Sequence, residues 1–443
     1  MERTNIAQYA KDNVNLCIEN DFVDDSLYKK YGVNSGLRDV NGKGVLTGLT
    51  NISQINAFKE IDGVKTPIDG ELWYRGYRVN SLINEIKPGE FGFERIAYLL
   101  LFGKKPTDEE LAEFKKVIGE NRTFPSNFTR DVIMKAPSKD IMNSMTRSIL
   151  TLASYDDNPN SIDLDNSIRQ CLLLIAQFPM MAIYAYHAYN HYENDTSMYI
   201  HRADPNLSTA ENILKMLRPD QQYTELEARI LDIALVLHME HGGGNNSTFT
   251  TRVVTSAGTD TYSAIAAAMS SLKGPKHGGA NIKVMEMMAN IHENVNDISD
   301  RDEVRAYLSK IVAGEAFDGK GLIYGLGHAI YSLSDPREVI FKGYVEELAK
   351  NKGMEKEMTL YKFIEEEGIM LISESRKIYK GVCPNVDFYS GFVYSMLGIP
   401  MELYTPLFAI ARIVGWSAHR TEELICMNKI IRPAYMSVME KYE

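Results

Sequence analysis

Apolar residues recur every three or four positions through most of this chain, the spacing that gives an α-helix one buried face. Several of these segments open on residues that cap a helix N-terminus. In three of them a Ser or Thr precedes a Glu by three positions, and in a fourth an Asp stands before a first-turn proline. We therefore expect helices to begin at Thr107, Ser208, Thr224 and Asp335.

Strand patterns are scarce. The clearest covers residues 71–77 and predicts a short hairpin. Residues 249–255 are rich in β-branched side chains and alone indicate a strand, although they lie among helical patterns. The most apolar stretch, residues 172–186, is too short and too interrupted by Gln177 and Pro179 to cross a bilayer, so we expect a buried, kinked helix there. The pattern as a whole predicts a mostly α-helical globule.

Composition narrows the function classes. The 443 residues are 44% hydrophobic and 24% charged, which excludes a disordered chain and allows one to three domains. Acidic residues outnumber basic ones by 59 to 48 and give a net charge of −11, which argues against a broad basic face for nucleic acid. Anionic ligands would need a local cationic pocket. The N-terminus has no signal-peptide pattern, and we expect a cytoplasmic protein that binds neither membrane nor nucleic acid.

The cysteines are too scattered to form a known kind of site. The chain has four cysteines, and no two of them form a CxxC pair: Cys17, Cys171, Cys383 and Cys426. A zinc ribbon, a dithiol redox centre and a disulfide framework are therefore not expected. The sequence also contains no internal repeat and no long linker, so a second domain would be packed into the first.

Candidate chemistry begins with histidines beside glycines. His238 and His241 precede a run of three glycines, His277 lies within GPKHGGAN, and His328 lies within GLGHAIY. Glycine lets the backbone approach a ligand closely and turn sharply, which places a neighbouring side chain at the end of an element. A single such histidine is usually structural, but three occurrences in one chain favour a functional site.

Two other interpretations of these motifs are weaker. The spacing of His238 and His241 places both on one helix face and would suit two metal ligands, but the HExxH order and a nearby cysteine are missing. The glycines around His328 lack the preceding strand and the third glycine of a dinucleotide-binding loop. We expect neither a metal nor a dinucleotide.

An aspartate and three arginines complete the candidates. Asp387 stands between apolar and aromatic residues, where partial desolvation would raise its pKa toward that of a useful base. Equally, it could be the N-cap of a helix that starts at Phe388. Arg412 lies in an apolar helical segment, where burial requires an anionic partner. Arg337 and Arg432 also stand out, although an arginine so near the C-terminus is usually just exposed.

These motifs, in this order, resemble the citrate synthase family. The resemblance covers roughly residues 35–440, in the blocks ELWYRGY, FERIAYLLLFGKKPTDEEL, HMEHGGGNNSTFTTRV, SLKGPKHGGAN, GLGHAIYSLSDPRE, PNVDFYSG, TPLFAIARIVGWSAH and IRPAYM. The combination of GPKHGGAN, GHAIY followed by DPR, and NVDFYSG is highly specific.

The resemblance implies an all-α fold of two intimately associated domains. The large domain would comprise residues 1–277 and 388–443, and the small, coenzyme A-binding domain residues 278–387. The resemblance also implies that residues 249–255 form a helix, against their β-propensity. A homodimer with shared active sites is implied as well.

The resemblance further implies a role for each matching residue. His277 would hydrogen-bond the acetyl thioester oxygen, Asp387 would remove a methyl proton, and His328 would hydrogen-bond and protonate the carbonyl oxygen of oxaloacetate. The residues that would bind oxaloacetate are His241, Arg337, Arg412 and, from the other subunit, Arg432, and His238 would support them. The loop that would meet the coenzyme A adenine contains Gly325, Leu326, Gly327 and Ala329.

The implied activity is that of an acyltransferase of the tricarboxylic acid cycle. Acetyl-CoA and oxaloacetate condense, and hydrolysis of the citryl thioester gives citrate and coenzyme A, with no metal or redox cofactor. Three alternatives remain: a 2-methylcitrate synthase that uses propionyl-CoA, a non-catalytic ligand-binding or regulatory protein on this fold, and an enzyme that cleaves citryl-CoA or citrate. Intact catalytic residues argue against the second, and the absence of a GxxxxGK[ST] loop argues against the third.

The chain departs from the family pattern in one motif. Met239-Glu240 stands where many relatives have a small residue and Asp, and Gly242 stands where Glu is common. Both histidines of the motif are kept, so these changes bear on the substrate subtype more than on activity. The first ~35 residues match no family block, and we assign them no ligand.

Overall fold

The structure, a computed structural model, describes residues 6–39, 42–62, 64–327, 330–376, 381–426 and 429–439. The chain is 60% helical and 6% strand. The predicted all-α class is therefore confirmed. By contacts the chain divides into two compact units, residues 50–431 and residues 1–49 with 432–443.

The smaller unit contains two helices, α1 (Ile6–Asp21) and α2 (Ser26–Tyr31). Helix α2 ends at Gly32, which takes a left-handed conformation. The C-terminal part of this unit, residues 432–439, has no regular secondary structure and is exposed.

The larger unit opens with a small antiparallel sheet. Its strands are β1 (Ser53–Ile61), β2 (Val64–Tyr74) and β3 (Tyr77–Arg78), in that order. Ser53 pairs with Tyr74 in the register of β1 and β2. The strand expected over residues 71–77 is confirmed as the end of β2, a turn and the start of β3.

Helices make up the rest of this unit. The helices before residue 240 are α3 (Val79–Asn84), α4 (Phe93–Phe102), α5 (Asp108–Glu120), α6 (Ile141–Leu152), α7 (Leu164–Asn194), α8 (Thr209–Leu217) and α9 (Glu225–His238). Those that follow are α10 (Asn246–Ser256), α11 (Thr261–Leu272), α12 (Ala280–Asn294), α13 (Arg301–Ala313), α14 (Pro336–Lys352), α15 (Glu355–Arg376), α16 (Val386–Met396) and α17 (Tyr404–Cys426).

All four predicted helix starts are confirmed. Thr107, Ser208 and Thr224 each close a capping box with a Glu three residues later, at the starts of α5, α8 and α9. Asp335 caps α14 by accepting the backbone N–H of Arg337, with proline at the first helical position. Each box satisfies two backbone donors that the helix itself leaves unpaired.

The ambiguous segment at residues 249–255 is helical, as the resemblance implied and against its β-propensity. It forms most of α10, which packs against α11 and α17. Its threonines are accommodated by hydrogen bonds: Thr251 donates to the carbonyl of Ser247, and Thr255 accepts from Arg420. Burial of this face outweighs the small helix penalty of β-branched residues.

The apolar stretch at residues 172–186 is the centre of a longer helix than expected. Helix α7 has 31 residues and continues through Pro179. Among the described helices it alone is long and apolar enough to cross a membrane, but 83% of its apolar window is buried inside the protein. The expectation of a buried helix is confirmed, and α7 is a core element.

Candidate active site

Helix ends converge on one place in the larger unit. His238 is the last residue of α9, His277 lies in the turn between α11 and α12, and Asp387 is the second residue of α16. Arg337 is the second residue of α14. Arg412 differs, because it projects from the middle of α17.

Phe408, one turn before Arg412 on α17, contacts several of these residues. Its ring centre is 4.9 Å from that of His238 and 6.2 Å from that of His277, both edge-on. The guanidinium of Arg412 lies 4.7 Å from the same ring centre. An aromatic face favours a cation above it, so Phe408 holds the arginine and both imidazoles in one cluster.

His238 is a neutral imidazole with a defined proton. Its Nδ1 lies 2.8 Å from the carbonyl oxygen of Ala234, so Nδ1 carries the hydrogen and Nε2 offers a lone pair. Burial lowers the pKa of His238 to about 3, and Arg337 and Arg412 contribute in the same direction. Nε2 lies 4.0 Å from Asp387 Oδ1, so the two residues face each other without forming an ion pair.

Asp387 has the properties of a general base. Burial raises the pKa of its carboxyl to about 6, against the opposing charge of Arg337. Its side chain is 19% exposed. The alternative role as an N-cap is wrong, because Asn385 caps α16 by accepting the backbone N–H of Asp387. The carboxylate is therefore available to a ligand.

His277 is also neutral. Burial lowers its pKa to about 4, and the charge of Arg412 adds to this shift. Nε2 lies 3.0 Å from Ser247 Oγ, and the backbone N–H of Ser247 donates to Nε2 at 3.4 Å. Nε2 is thus an acceptor, and the hydrogen resides on Nδ1.

Arg412 is a buried cation with an open hydrogen-bonding position. It is 1% exposed, and its Nε donates to the carbonyl of His238 at 2.7 Å. Burial lowers the pKa of its guanidinium to about 10, which leaves it charged at neutral pH. Within the described residues its Nη1 has no hydrogen-bond partner. No carboxylate in the described part of the chain is therefore bonded at Nη1 as the anionic partner expected from the sequence, which favours a bound anion.

Arg337 is held by its own helix cap. Its Nη2 and Nε lie 2.7 and 3.0 Å from the two carboxylate oxygens of Asp335. Burial disfavours the charge of Arg337, but the Asp335 carboxylate outweighs burial and raises the pKa of the guanidinium. Nearby, the buried ring of His241 lies edge-on to Tyr331, with centres 5.6 Å apart.

Backbone hydrogen bonds hold the loop at residues 323–327 beside Asp387. Gly327 donates its N–H to the carbonyl of Cys383, and Asn385 donates its backbone N–H to the carbonyl of Gly325. Gly325 and Gly327 take φ values of +84° and +96°, which glycine adopts without strain. A Cβ on Gly325 would lie within 3 Å of Phe388. This loop includes Leu326, another of the predicted coenzyme A contacts.

Three of the predicted site residues are not among those that the structure places in this cluster. His328 and Ala329 lie outside the described residues. Arg432 is exposed and belongs to the smaller unit. Their roles remain predictions from the sequence.

Sequence reasoning missed a buried carboxylate next to the site. In the sequence Glu240 stands out only as a departure from the family pattern, yet its Oε1 accepts from Ser53 Oγ at 2.9 Å and from the N–H of Gly242 at 2.6 Å. His419 Nε2 lies 3.1 Å from the same oxygen, and both side chains are fully buried. Burial raises the pKa of Glu240, but His419 and the hydrogen bonds outweigh burial and lower it to about 2. Its place between His238 and His241 was the available signal.

The assembled groups are a carboxylate of raised pKa, two neutral imidazoles and two buried arginines, which together could carry out acid–base chemistry on an anionic ligand. Comparison with known proteins identifies the class. The family model for the C-terminal domain of citrate synthase matches residues 36–434. The citrate synthase of Synechocystis is 35% identical over 84% of this chain and 85% of its own.

Two further relatives bear on the substrates. 2-methylcitrate synthase 1 of Corynebacterium glutamicum is 31% identical over 90% of this chain and 95% of its own. The citrate synthase of Thermoplasma acidophilum, solved as a ternary complex with carboxymethyl coenzyme A and oxaloacetate, matches with a TM-score of 0.73 and 28% identity, covering 92% of this chain and 97% of that chain. The chain belongs to the citrate synthase family and is an acyltransferase of that type, as the sequence predicted.

Proposed function

We propose that this site condenses acetyl-CoA with oxaloacetate and water to give citrate and coenzyme A. The observation that carries the proposal is the pairing of a partly exposed carboxylate of raised pKa, Asp387, with the neutral imidazole of His277 and the open guanidinium of Arg412. These are a base, an uncharged donor and an anion-binding group.

The first step is removal of a methyl proton from the thioester. That proton is far less acidic than a carboxylic acid, so Asp387 removes it only if the enolate oxygen is stabilised as charge develops. A pKa of about 6 leaves Asp387 largely ionised at pH 7 and yet more basic than an ordinary carboxylate. His277 supplies the stabilisation by donating Nδ1–H to the thioester oxygen.

A neutral imidazole suits this task. Since the pKa of His277 is lowered to about 4, it stays uncharged while the enolate forms and retains its donor hydrogen. Triosephosphate isomerase likewise polarises a carbonyl with a neutral histidine, which donates a hydrogen bond as an imidazole and not as an imidazolium. His328, placed by resemblance alone, would polarise the ketone oxygen of oxaloacetate in the condensation step.

Binding of oxaloacetate follows from charge. Arg412 offers Nη1, a buried donor without a partner among the described residues. Guanidinium groups bind carboxylates through parallel hydrogen bonds, and burial strengthens the contact. Arg337, His238 and His241 complete the pocket in this proposal, and Arg432 enters it from a second subunit.

The remaining sequence predictions belong to the same proposal. A small domain of residues 278–387 would bind coenzyme A through the loop at Gly325, Leu326 and Gly327, in a cytoplasmic homodimer. The condensation and the hydrolysis involve no net oxidation or reduction, so no redox cofactor enters.

Purified protein tests the proposal directly. With acetyl-CoA and oxaloacetate it should release one free thiol for each citrate formed, and omission of either substrate should abolish release. Release without citrate, or no release at all, would contradict the proposal. The similarity to 2-methylcitrate synthases favours propionyl-CoA as the second candidate substrate. Because one methylene discriminates by only about 1–3 kcal/mol, kcat/KM must be compared for both thioesters.

A further inference from the structure

A bulge in the small sheet lies against the segment that leads into α14. On either side of the bulge, Asn56 pairs with Glu71 and Phe58 pairs with Pro67. Three residues of β2, 68–70, therefore stand opposite a single residue of β1. The extra residues of a bulge are left out of the hydrogen-bond ladder, so their backbone groups are available to another part of the protein.

Gly70 uses this freedom to bond the residue that precedes the cap of α14. Its backbone N–H donates to the carbonyl oxygen of Ser334 at 3.1 Å and also lies 3.2 Å from Ser334 Oγ. The hydroxyl of Ser334 in turn donates to Asp69 Oδ1 at 3.0 Å. Both the backbone and the side chain of Ser334 are therefore held by β2. The next residue, Asp335, is the cap.

Gly70 is also too close to this segment for any side chain. A Cβ at residue 70 would lie 2.3 Å from the carbonyl oxygen of Ser334, 2.6 Å from Tyr331 Cδ1 and 2.8 Å from Pro336 Cδ. At such distances one of the two sides must move. The φ of Gly70 lies outside the left-handed region, so alanine would meet no backbone strain of its own there. Glycine is required at this position for the close approach.

The residues around this close approach lead directly to Arg337. Pro336 is the first residue of α14 and Arg337 is the second. The fully buried Asp335 binds Nε and Nη2 of Arg337 through its two carboxylate oxygens. The guanidinium is thereby tied to the backbone of this segment and moves with it. Its charge helps to lower the pKa of Arg412, so the two arginines act in the same pocket.

We propose that Gly70 is a positioning residue for Arg337. The close approach of the bulge sets the place of the segment before α14 and, through Asp335, the place of the guanidinium in the oxaloacetate pocket. The inference rests on the proposed function, in which Arg337 binds a carboxylate of oxaloacetate. Neither Gly70 nor Ser334 touches substrate in this scheme.

The first test adds one methyl group. Gly70→Ala should raise the KM for oxaloacetate about 10-fold, because a displaced guanidinium makes weaker charge-assisted hydrogen bonds. The value of kcat should stay within about 2-fold, since Arg337 binds oxaloacetate and the transition state alike. The Kd for oxaloacetate, from calorimetry without thioester, should rise with the KM. Gly343→Ala is the matched control and should change neither constant, because Gly343 is exposed on α14 with nothing within 4 Å of its Cβ position.

A double-mutant cycle separates positioning from a general effect on the fold. Arg337→Lys keeps a cation beside Asp335 but loses the planar fork that binds a carboxylate. In that background, Gly70→Ala should raise the KM for oxaloacetate less than about 2-fold. An equal rise in both backgrounds, or an equal rise in Gly343→Ala, would overturn the proposal. Wild-type KM and Kd in a folded Gly70→Ala enzyme would do so as well, because they would show that β2 moves and Arg337 does not.

A milder variant tests the inference even if Gly70→Ala does not fold. Ser334→Ala removes both side-chain bonds to β2 and leaves the backbone bond in place. The KM for oxaloacetate should rise about 3-fold, whereas Ser334→Thr, which keeps a hydroxyl, should stay close to the wild type. An unchanged KM in Ser334→Ala would overturn the inference. Failure of the proposed function would instead appear as a wild-type enzyme that makes no citrate from acetyl-CoA and oxaloacetate.

Discussion

Asp387 Oδ1 and His238 Nε2 face each other across 4.0 Å, from the second residue of α16 and the last residue of α9. The histidine is neutral and gives its only hydrogen to Ala234, so it neither protonates nor pairs with the carboxylate. Asp387 is therefore desolvated without being neutralised by this neighbour. That arrangement makes the carboxylate a stronger base than a solvated aspartate.

Replacement of the base tests the central assignment. Asp387→Asn should lower kcat at least ~10²-fold, because the amide accepts no proton, while the circular dichroism spectrum stays unchanged. Asp165→Asn is the matched control, since Asp165 is also in the first turn of a helix but is exposed. It should retain full turnover. Near-normal turnover in a folded Asp387→Asn enzyme would show that another group is the base.

The pH profile should report the same carboxylate. Burial raises the pKa of Asp387 to about 6, and the base must be ionised, so kcat/KM for acetyl-CoA should fall tenfold per pH unit below about pH 6. His277 titrates only near pH 4 and imposes no limit above that value. Initial rates from about pH 4.5 to pH 8 measure the curve. A rate that stays constant down to about pH 4.5 would contradict the raised pKa.

Two buried arginines on α17 should respond differently to the same substitution. Nη1 of Arg412 has no partner among the described residues, whereas Arg420 donates to Thr255, Thr259 and Thr261. Arg412→Lys should raise the KM for oxaloacetate by about 10²-fold through loss of a charged hydrogen bond.

Arg420→Lys provides the comparison. It should lower Tm and leave the KM for oxaloacetate close to that of the wild type, because its partners belong to the fold. Steady-state kinetics and thermal unfolding of both variants distinguish the roles. An Arg412→Lys enzyme with an unchanged KM and a lowered Tm would make Arg412 structural too.

The buried Glu240–His419 pair should govern acid stability. The folded pKa of Glu240, about 2, lies below its unfolded value near 4.5. The stabilisation is therefore present above pH 4.5 and lost as pH falls toward 2. Glu240→Gln should lower the free energy of unfolding at neutral pH by about 3 kcal/mol, as expected for breaking a buried pair.

Denaturant unfolding at several pH values measures this effect. The difference between wild type and Glu240→Gln should shrink as pH decreases below 4.5. Glu225→Gln, an exposed glutamate in the first turn of α9, should change stability by less than about 0.5 kcal/mol at any pH. A constant difference between about pH 7 and pH 3 would exclude Glu240 as the titrating group.

Local signals were sufficient for much of the fold. The capping boxes at Thr107, Ser208 and Thr224 depend on residues three apart, so the sequence alone contains the full interaction. For the same reason the cap and first-turn proline at Asp335 were predictable. Residues 249–255 were not, because their helix depends on burial against α11 and α17 rather than on local propensity.

The site was predictable only in part. The apolar helix around Arg412 predicted a buried guanidinium in need of an anion, and its Nη1 has no partner within the described residues. Local sequence left the role of Asp387 open, because only the structure shows that Asn385 provides the cap. The contacts of Trp416 with Ser247 and of Glu240 with His419 join residues far apart in the chain. Neither the periodicity nor the spacing of residues along the sequence predicts such contacts. The division into domains at residues 278 and 387 stays a prediction.

The last prediction concerns Arg432. The resemblance to the family's RP element predicts that Arg432 serves the neighbouring subunit of a homodimer, and exchange across a twofold axis would be reciprocal. Arg432→Ala and His328→Ala homodimers should each be nearly inactive. If Arg432 acts across the interface, a heterodimer places both defects in one site and leaves the other site intact. Random subunit exchange in an equal mixture should then restore about a quarter of wild-type activity. If Arg432 acts within its own chain, every site carries one defect, and verified heterodimers remain inactive.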